Sequence, residues 1–256
     1  VGGLVLLLLL SWVTGTDLFS LLDSGGAPSG VAVDSSQPVD ATPEEERMVD
    51  FVNAVAGDVQ ATWTEALRNR YEPAKVVLFR DATRTACGVG EAASGPFYCP
   101  GDRLVYLDLA FFADLSRRFG APGDFAQAYV IAHEYGHHIQ NLLGISERVG
   151  DDRQGANSAS VALELQADCL AGVWGHAAAE SGRARRGRVE LDPGDADEAL
   201  RAAAAIGDDR LQKMATGRVQ PERFTHGSSA QRTEWFRRGF DSGDVAPVSY
   251  THLTLP

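Results

Sequence analysis

The chain has 256 residues, 44% of them hydrophobic and 23% charged, which is enough apolar content for a packed core and too much for a disordered chain. Its net charge of −12, from 23 Lys and Arg against 35 Asp and Glu, argues against nucleic acid and other polyphosphate partners, which require clustered cations. The dense arginine run at 183–188 (RARRGR) reads as a solvated loop.

Residues 1–13 (VGGLVLLLLLSWV) carry no charge and follow no initiating Met. A membrane-spanning helix takes about 20 residues, so this run reads as the second half of a truncated transmembrane segment or signal anchor. A cleaved signal peptide is the competing reading, but no small-x-small cleavage site follows Trp12. Residues 14–42 are rich in Gly, Ser, Pro and Asp and read as a flexible linker. The folded domain is expected over 43–247. It opens at Thr42-Pro43-Glu44-Glu45, where a Thr cap, a Pro in the first turn and a Glu three residues after the cap predict a helix start with a capping box.

That helix carries Met48, Phe51, Val52 and Val55, and a second helical pattern carries Val59, Trp63 and Leu67. Residues 75–80 (KVVLFR) and 104–107 (LVYL) read as strands, with a loop holding Cys87, Gly95, Pro96 and Cys99 between them. Helices are predicted over 111–118, from Gly123-Asp124 to Gly144, over 156–179, from Asp192-Pro193 onward, and over 228–240. The helix opening at Asp192-Pro193 should bury Ala196, Leu200, Ala203 and Ala204, and the last Trp235 and Phe236. The expected fold class is α+β, mostly helical, with a small sheet packed beside the helix from Gly123-Asp124 to Gly144.

That helix contains His133-Glu134-Tyr135-Gly136-His137, a His-Glu-x-x-His motif. Residues four apart lie one turn above each other on one helix face, so both imidazoles can aim at a single metal ion. Glu134 projects about 100° from His133, where a general base for a metal-activated water must stand. Gly136 costs about 1 kcal/mol relative to Ala in a helix interior, which implies close approach by another backbone. Gln140 and Asn141 share the ligand face, and His138 points away from it.

A catalytic zinc ion takes three protein ligands and keeps one position open. Glu164, on the next long helix, is the candidate third ligand. Asp168 lies four residues on, on the same face, placed to accept the second N–H of His133. The surrounding Val161, Ala162, Leu165, Ala167, Leu170, Val173 and Trp174 make that helix apolar almost all round, as in a buried one.

Several stretches resemble the bacterial family described as putative neutral zinc metallopeptidases: TACG at 85–88, GPFYCP at 95–100, VYLDLAFF at 105–112, HEYGHHIQNLLG at 133–144, ELQADCLAGVWGH at 164–176, and FTHGSSAQR with WFRRGF within 224–240. The resemblance spans about 43–243. It implies a zincin-like metallopeptidase domain with Zn2+ bound by two His and a Glu, anchored in a membrane by a leading hydrophobic segment. It also implies that Cys87 and Cys99 pair, which suits an oxidising compartment. Cys169 is left with a free thiol, because the cysteine expected after residue 243 is missing. Residues 248–256 depart from the family pattern and read as a non-native tail, so His252 carries no weight. Related zincins place a late His or Arg where it stabilises the oxyanion. His226 is the candidate here, with a capping-loop histidine as the equal alternative, and Arg232 is the weaker one.

The expected activity is peptide-bond hydrolysis, with zinc held by His133, His137 and Glu164 and with Glu134 as general base on a zinc-activated water. The strand at 104–107 is the expected rail for an extended peptide or protein substrate. The catalytic domain is expected outside the cytoplasm. The alternatives are an amidase acting on cell-wall peptides and an inactive zinc-binding scaffold at the membrane. Intact Glu134 argues against the scaffold, which needs no base.

Overall fold

The computed structural model describes residues 42–91, 95–108, 111–117, 120–121, 123–148 and 150–244. All belong to the second of two contact units, which begins at Thr42. The expected anchor, nearly all of the linker and the expected non-native tail lie outside the described residues. Among the described residues, no helix is long and apolar enough to cross a membrane.

The domain is α+β and mostly helical. Helix α1 (Pro43–Leu67) begins at the predicted capping box, with Thr42 Oγ1 accepting from Glu45 N and the Glu45 carboxylate accepting from Thr42 N. The two helical patterns form one continuous helix of 25 residues. Val52, Val55, Val59, Trp63 and Leu67 keep a single buried stripe, and Gly57 between them does not interrupt it.

Strand β1 (Lys75–Phe79) pairs in parallel with β5 (Leu104–Asp108), and β4 (Phe97–Cys99) pairs antiparallel on the other side of β5. The order β1-β5-β4 puts β5 in the centre. The stretch expected to be the substrate rail therefore has no free edge, because both sides of its backbone are already paired. The segment read as a loop also holds strands: β2 (Ala82–Thr85) and β3 (Gly88–Glu91) form an antiparallel hairpin, and β4 follows. Their sequences lack apolar alternation, so period alone could not reveal them. Tertiary links hold them instead. Cys87 at the hairpin turn is disulfide-bonded to Cys99 at the end of β4. The Phe97 ring lies against Gly90, where a Cβ would come within 2.4 Å of it. With a sequence separation of 12, such a bridge contributes roughly 3 kcal/mol in the chain-entropy view.

Helix α2 (Phe111–Arg117) leads to α3 (Asp124–Leu142), which carries the His-Glu-x-x-His motif through the middle of the domain. Helix α4 (Ala159–Ala178) starts later than expected, because Ser158 caps it by accepting from Val161 N. Helix α5 is Asp195–Ala205. It buries Ala199, Ala202, Ala203 and Ala205; of the expected set Ala203 is buried and Leu200 packs partly buried against the core, while a run of alanines left the rest of the inward face to be chosen by the neighbouring helix. Helix α6 (Asp208–Thr216) was not foreseen, and α7 (Ser229–Ser242) buries Trp235 and Phe236 as expected.

Small residues bring three helices close around the motif. A Cβ on Gly136 would lie 3.0 Å from Ala167 Cα, so α3 meets the backbone of α4 there, as its place in the helix implied. A Cβ on Gly172 would lie 2.1 Å from Phe236 O, and one on Gly239 would lie 1.9 Å from Cys169 O. Helices α4 and α7 are therefore pressed together along glycines, in the way that close helix contacts demand. Cys169 sits in this contact as a buried free thiol, and burial pushes its pKa up to about 12.

The arginine run is not wholly solvated. Arg183 is buried and donates to both oxygens of Asp58, at 3.0 Å each. Arg188 pairs with Asp58 and also with Glu65 at 3.0 Å, and Trp174 Nε1 donates to Asp58 at 2.9 Å. The buried carboxylate on α1 requires cations, and the arginines of this loop supply them.

Candidate metal centre

The one-turn spacing of His133 and His137 on α3 places their rings side by side, with centroids 4.8 Å apart. Glu164 of α4 faces both. Its Oε2 is 3.2 Å from His133 Nε2 and its Oε1 is 3.4 Å from His137 Nε2. One ligand atom from each of the three residues falls within 4.8 Å of the others. Bonds of about 2.0–2.1 Å at tetrahedral angles separate neighbouring ligands by about 3.3–3.4 Å, so the spacing and the N,N,O donor set fit a zinc ion. Among the described residues, the other cluster of this size, Asp124, Asp195 and Glu198, offers only carboxylates.

Each imidazole is oriented from behind. His133 Nδ1 donates to Asp168 Oδ1 at 2.8 Å, and His137 Nδ1 lies 2.8 Å from Gln140 Oε1. Gln140 is itself held, donating to Leu163 O at 2.7 Å and to Gln166 Oε1 at 2.9 Å. Both Nε2 atoms are thereby turned towards Glu164. Asp168 is fully buried. It also accepts from the Tyr129 hydroxyl and from Arg232, whose Nε lies 2.9 Å from Oδ2 and whose Nη2 lies 2.9 Å from Oδ1. Arg232 is therefore committed behind His133. The weaker oxyanion candidate is thus paired with Asp168 on the Nδ1 side of His133, whereas the Nε2 of that ring faces Glu164.

The charges reflect this crowding. Burial disfavours the His133 cation, but Asp168 and Glu164 outweigh it and the pKa is raised to about 10. His137 is also raised, against burial, by Glu164. Glu164 is held well below the carboxylate range, where the His137 charge overcomes the cost of burial. Asp168 is lowered by Arg232 and His133 against the same cost. A proton here takes the electrostatic place of a metal ion.

Glu134 is 6% exposed, and its carboxylate makes no hydrogen bond among the described residues, although its charge acts on His137. His138 is elsewhere, between Tyr98 and the Glu72 carbonyl, and is not part of the cluster. His226 lies in the loop before α7 with its side chain 52% exposed. Its Nδ1 faces Asp208 Oδ1 at 3.3 Å and Thr225 Oγ1 at 2.9 Å, and its charge and that of Glu164 act on each other. Asp208 Oδ2 also accepts from the backbone N–H groups of Thr225, His226 and Gly227, at 2.7, 2.7 and 3.1 Å. The Asp208 hydrogen bond raises the pKa of His226.

Tyr129 and Asp208 escaped the sequence reading. Tyr129 fits an apolar helix stripe without remark, and Asp208 belongs to a helix that had not been foreseen. Arg232 did leave a signal. It stands three and four residues before Trp235 and Phe236 on the buried face of α7, and a cation there implies a buried anion opposite.

Comparison with known proteins bears on the whole chain. The uncharacterized protein YpfJ of Escherichia coli strain K12 is 46% identical over 256 residues, covering 96% of this chain and 85% of its own. The uncharacterized protein Mb2605 of Mycobacterium bovis is 46% identical over 197 residues, covering 75% of this chain and 67% of its own. No solved structure matches. The family model described as putative neutral zinc metallopeptidase matches residues 1–250. With a His, His, Glu cluster of zinc-like spacing at its centre, the chain belongs to the putative neutral zinc metallopeptidase family.

Proposed function

We propose that this protein is a zinc-dependent peptidase that hydrolyses peptide bonds with Glu134 as general base. The observation that carries the proposal is the convergence of His133, His137 and Glu164, with Glu134 one residue along the same helix and its carboxylate not engaged in a hydrogen bond among the described residues. His133, His137 and Glu164 hold the ion, and Asp168 orients His133 through Nδ1. Zinc bound there acts as a Lewis acid, acidifying a water molecule and polarising the scissile carbonyl. Glu134 takes the proton from the attacking water and delivers it to the leaving amine. His226, held through Nδ1 by Asp208, presents its other nitrogen to the oxyanion that develops on the carbonyl.

The substrate class is a peptide or protein. Residues 1–13 attach the protein to a membrane and the catalytic domain lies outside the cytoplasm. The uncharged N-terminal run and the Cys87–Cys99 bridge support this placement. Retention of the full-length protein in membranes through a carbonate wash checks it.

The deciding experiment is cleavage of a denatured-protein library by wild type, with and without a chelator, beside three variants. Glu134→Gln should keep about one zinc per chain and lose at least about a hundredfold in rate. Glu164→Gln and His133→Ala should lose the metal. Full activity in Glu134→Gln would refute the mechanism. Cleavage of muropeptide cross-links in place of proteins would make the enzyme a cell-wall amidase. Zinc binding with neither activity would make it a scaffold.

A further inference from the structure

We infer that Arg232 of α7 is a positioning residue of the metal centre, acting on His133 through Asp168 and thereby setting how tightly the ion is held. The inference rests on the reading of His133, His137 and Glu164 as the metal ligands.

The argument begins with the carboxylate. Asp168 has no exposed surface, and a buried carboxylate needs a cation and filled lone pairs. Among the described residues three groups meet it: His133 Nδ1, the Tyr129 hydroxyl and the Arg232 fork. Only Arg232 is a permanent cation. When the Nε2 lone pair of His133 is given to a metal, the imidazole still donates to Asp168 through Nδ1 but carries no proton charge of its own, and Arg232 is the side-chain cation in direct contact with the carboxylate.

Geometry adds a second role. The guanidinium occupies Oδ2 through Nε and shares Oδ1 through Nη2. A planar two-point contact of this kind fixes the plane of the carboxylate as well as its position. Oδ1 is thereby aimed at His133 Nδ1, which selects the tautomer with the proton on Nδ1 and the lone pair on Nε2. Tyr129 Oη, 3.3 Å from Arg232 Nη2, closes the same network.

The chain position of Arg232 matters as well. It reaches Asp168 because α7 is pressed onto α4 at Gly172 and Gly239. Six residues earlier, the loop leading into α7 carries His226, whose charge acts on Glu164. One segment thus supplies a group behind one proposed ligand and a group in front of another.

The test is a double-mutant cycle read as zinc affinity, by competition with a chromophoric chelator on the metal-free full chain, so that no activity assay is involved. Arg232→Gln should weaken zinc binding by about tenfold or more, within the range for groups that orient a ligand. Asp168→Asn should do the same. The double variant should be no weaker than Asp168→Asn alone, because Arg232 works only through that carboxylate. Additive losses would overturn the inference and make Arg232 a packing residue, and so would an unchanged affinity in Arg232→Gln. If Arg232→Gln does not fold, Arg232→Lys carries the same cycle. It keeps the charge without the fork and should bind zinc with intermediate affinity that likewise merges with Asp168→Asn in the double variant. Glu164→Gln separates the two levels. If it binds zinc like wild type, the ligand assignment itself fails. If it loses zinc while Arg232→Gln does not, only the role of Arg232 fails.

Discussion

Two buried aspartates in this domain are built alike. Asp58 on α1 and Asp168 on α4 each lie out of solvent and each is paired with arginine: Arg183 Nη2 reaches both oxygens of Asp58, and Arg232 meets Asp168 through Nε and Nη2. Around Asp58 the donors among the described residues are Arg183, Arg188, Trp174 and the Val189 N–H, and none of them joins a group of convergent ligand atoms. Asp168 differs in one donor. His133 has a second nitrogen, and that nitrogen faces Glu164. A buried Asp–Arg pair is therefore not a sign of function by itself. The sign is a donor whose far side joins a set of convergent ligand atoms. Asp58 ties α1, α4 and the 183–189 loop together, whereas Asp168 ties three helices to a place where an ion fits.

The largest effects should come from deleting the two carboxylates in turn. Asp58→Ala strands two arginines and should cost about 3–5 kcal/mol of stability, measured by denaturant unfolding, while zinc affinity stays at the wild-type value. Asp168→Asn should weaken zinc binding by about 10- to 100-fold. A matching loss of zinc affinity in Asp58→Ala would erase the distinction between the two networks.

Smaller changes sharpen the same contrast. Trp174→Phe and Tyr129→Phe each remove one donor to a buried carboxylate, and each should cost about 1.5–3 kcal/mol in unfolding free energy. Only Tyr129→Phe should also weaken zinc binding, by a few-fold, when both variants are titrated side by side.

The smallest effect is a proton count. In the metal-free protein His133 is raised to about 10, against burial, by Asp168 and Glu164. A raised pKa contributes stability that is full below the unfolded value of about 6.5 and is lost as pH rises through about 10. Zinc competes for the same site, so its binding at pH 7 should release protons and tighten as pH rises. Calorimetry in buffers of different ionisation enthalpy counts them. Asp58→Ala should leave the count unchanged, and Asp168→Asn should lower it by removing the carboxylate that holds the proton on His133.

Much of the centre was legible in the chain because it depends on short-range periodicity. His133 and His137 four apart, Glu164 and Asp168 four apart, and the capping box at Thr42 all follow from the helical repeat, which needs no tertiary knowledge. Gly136 announced a close helix contact, because a glycine inside a buried helix has a cost that packing must offset. The tertiary structure decided the rest, where partners lie far apart in sequence. Asp58 finds Arg183 across 125 residues, and Asp168 finds Arg232 across 64. No local pattern encodes either pair. The small sheet went the same way: β5 is central because β4 returns to its far side, and β2, β3 and β4 are held by a disulfide and by Phe97 over Gly90 rather than by alternating residues of their own. Helical spacing along one element can be read from its own residues, whereas the pairing of distant charges and strands depends on how the elements pack, and only the folded chain decides that.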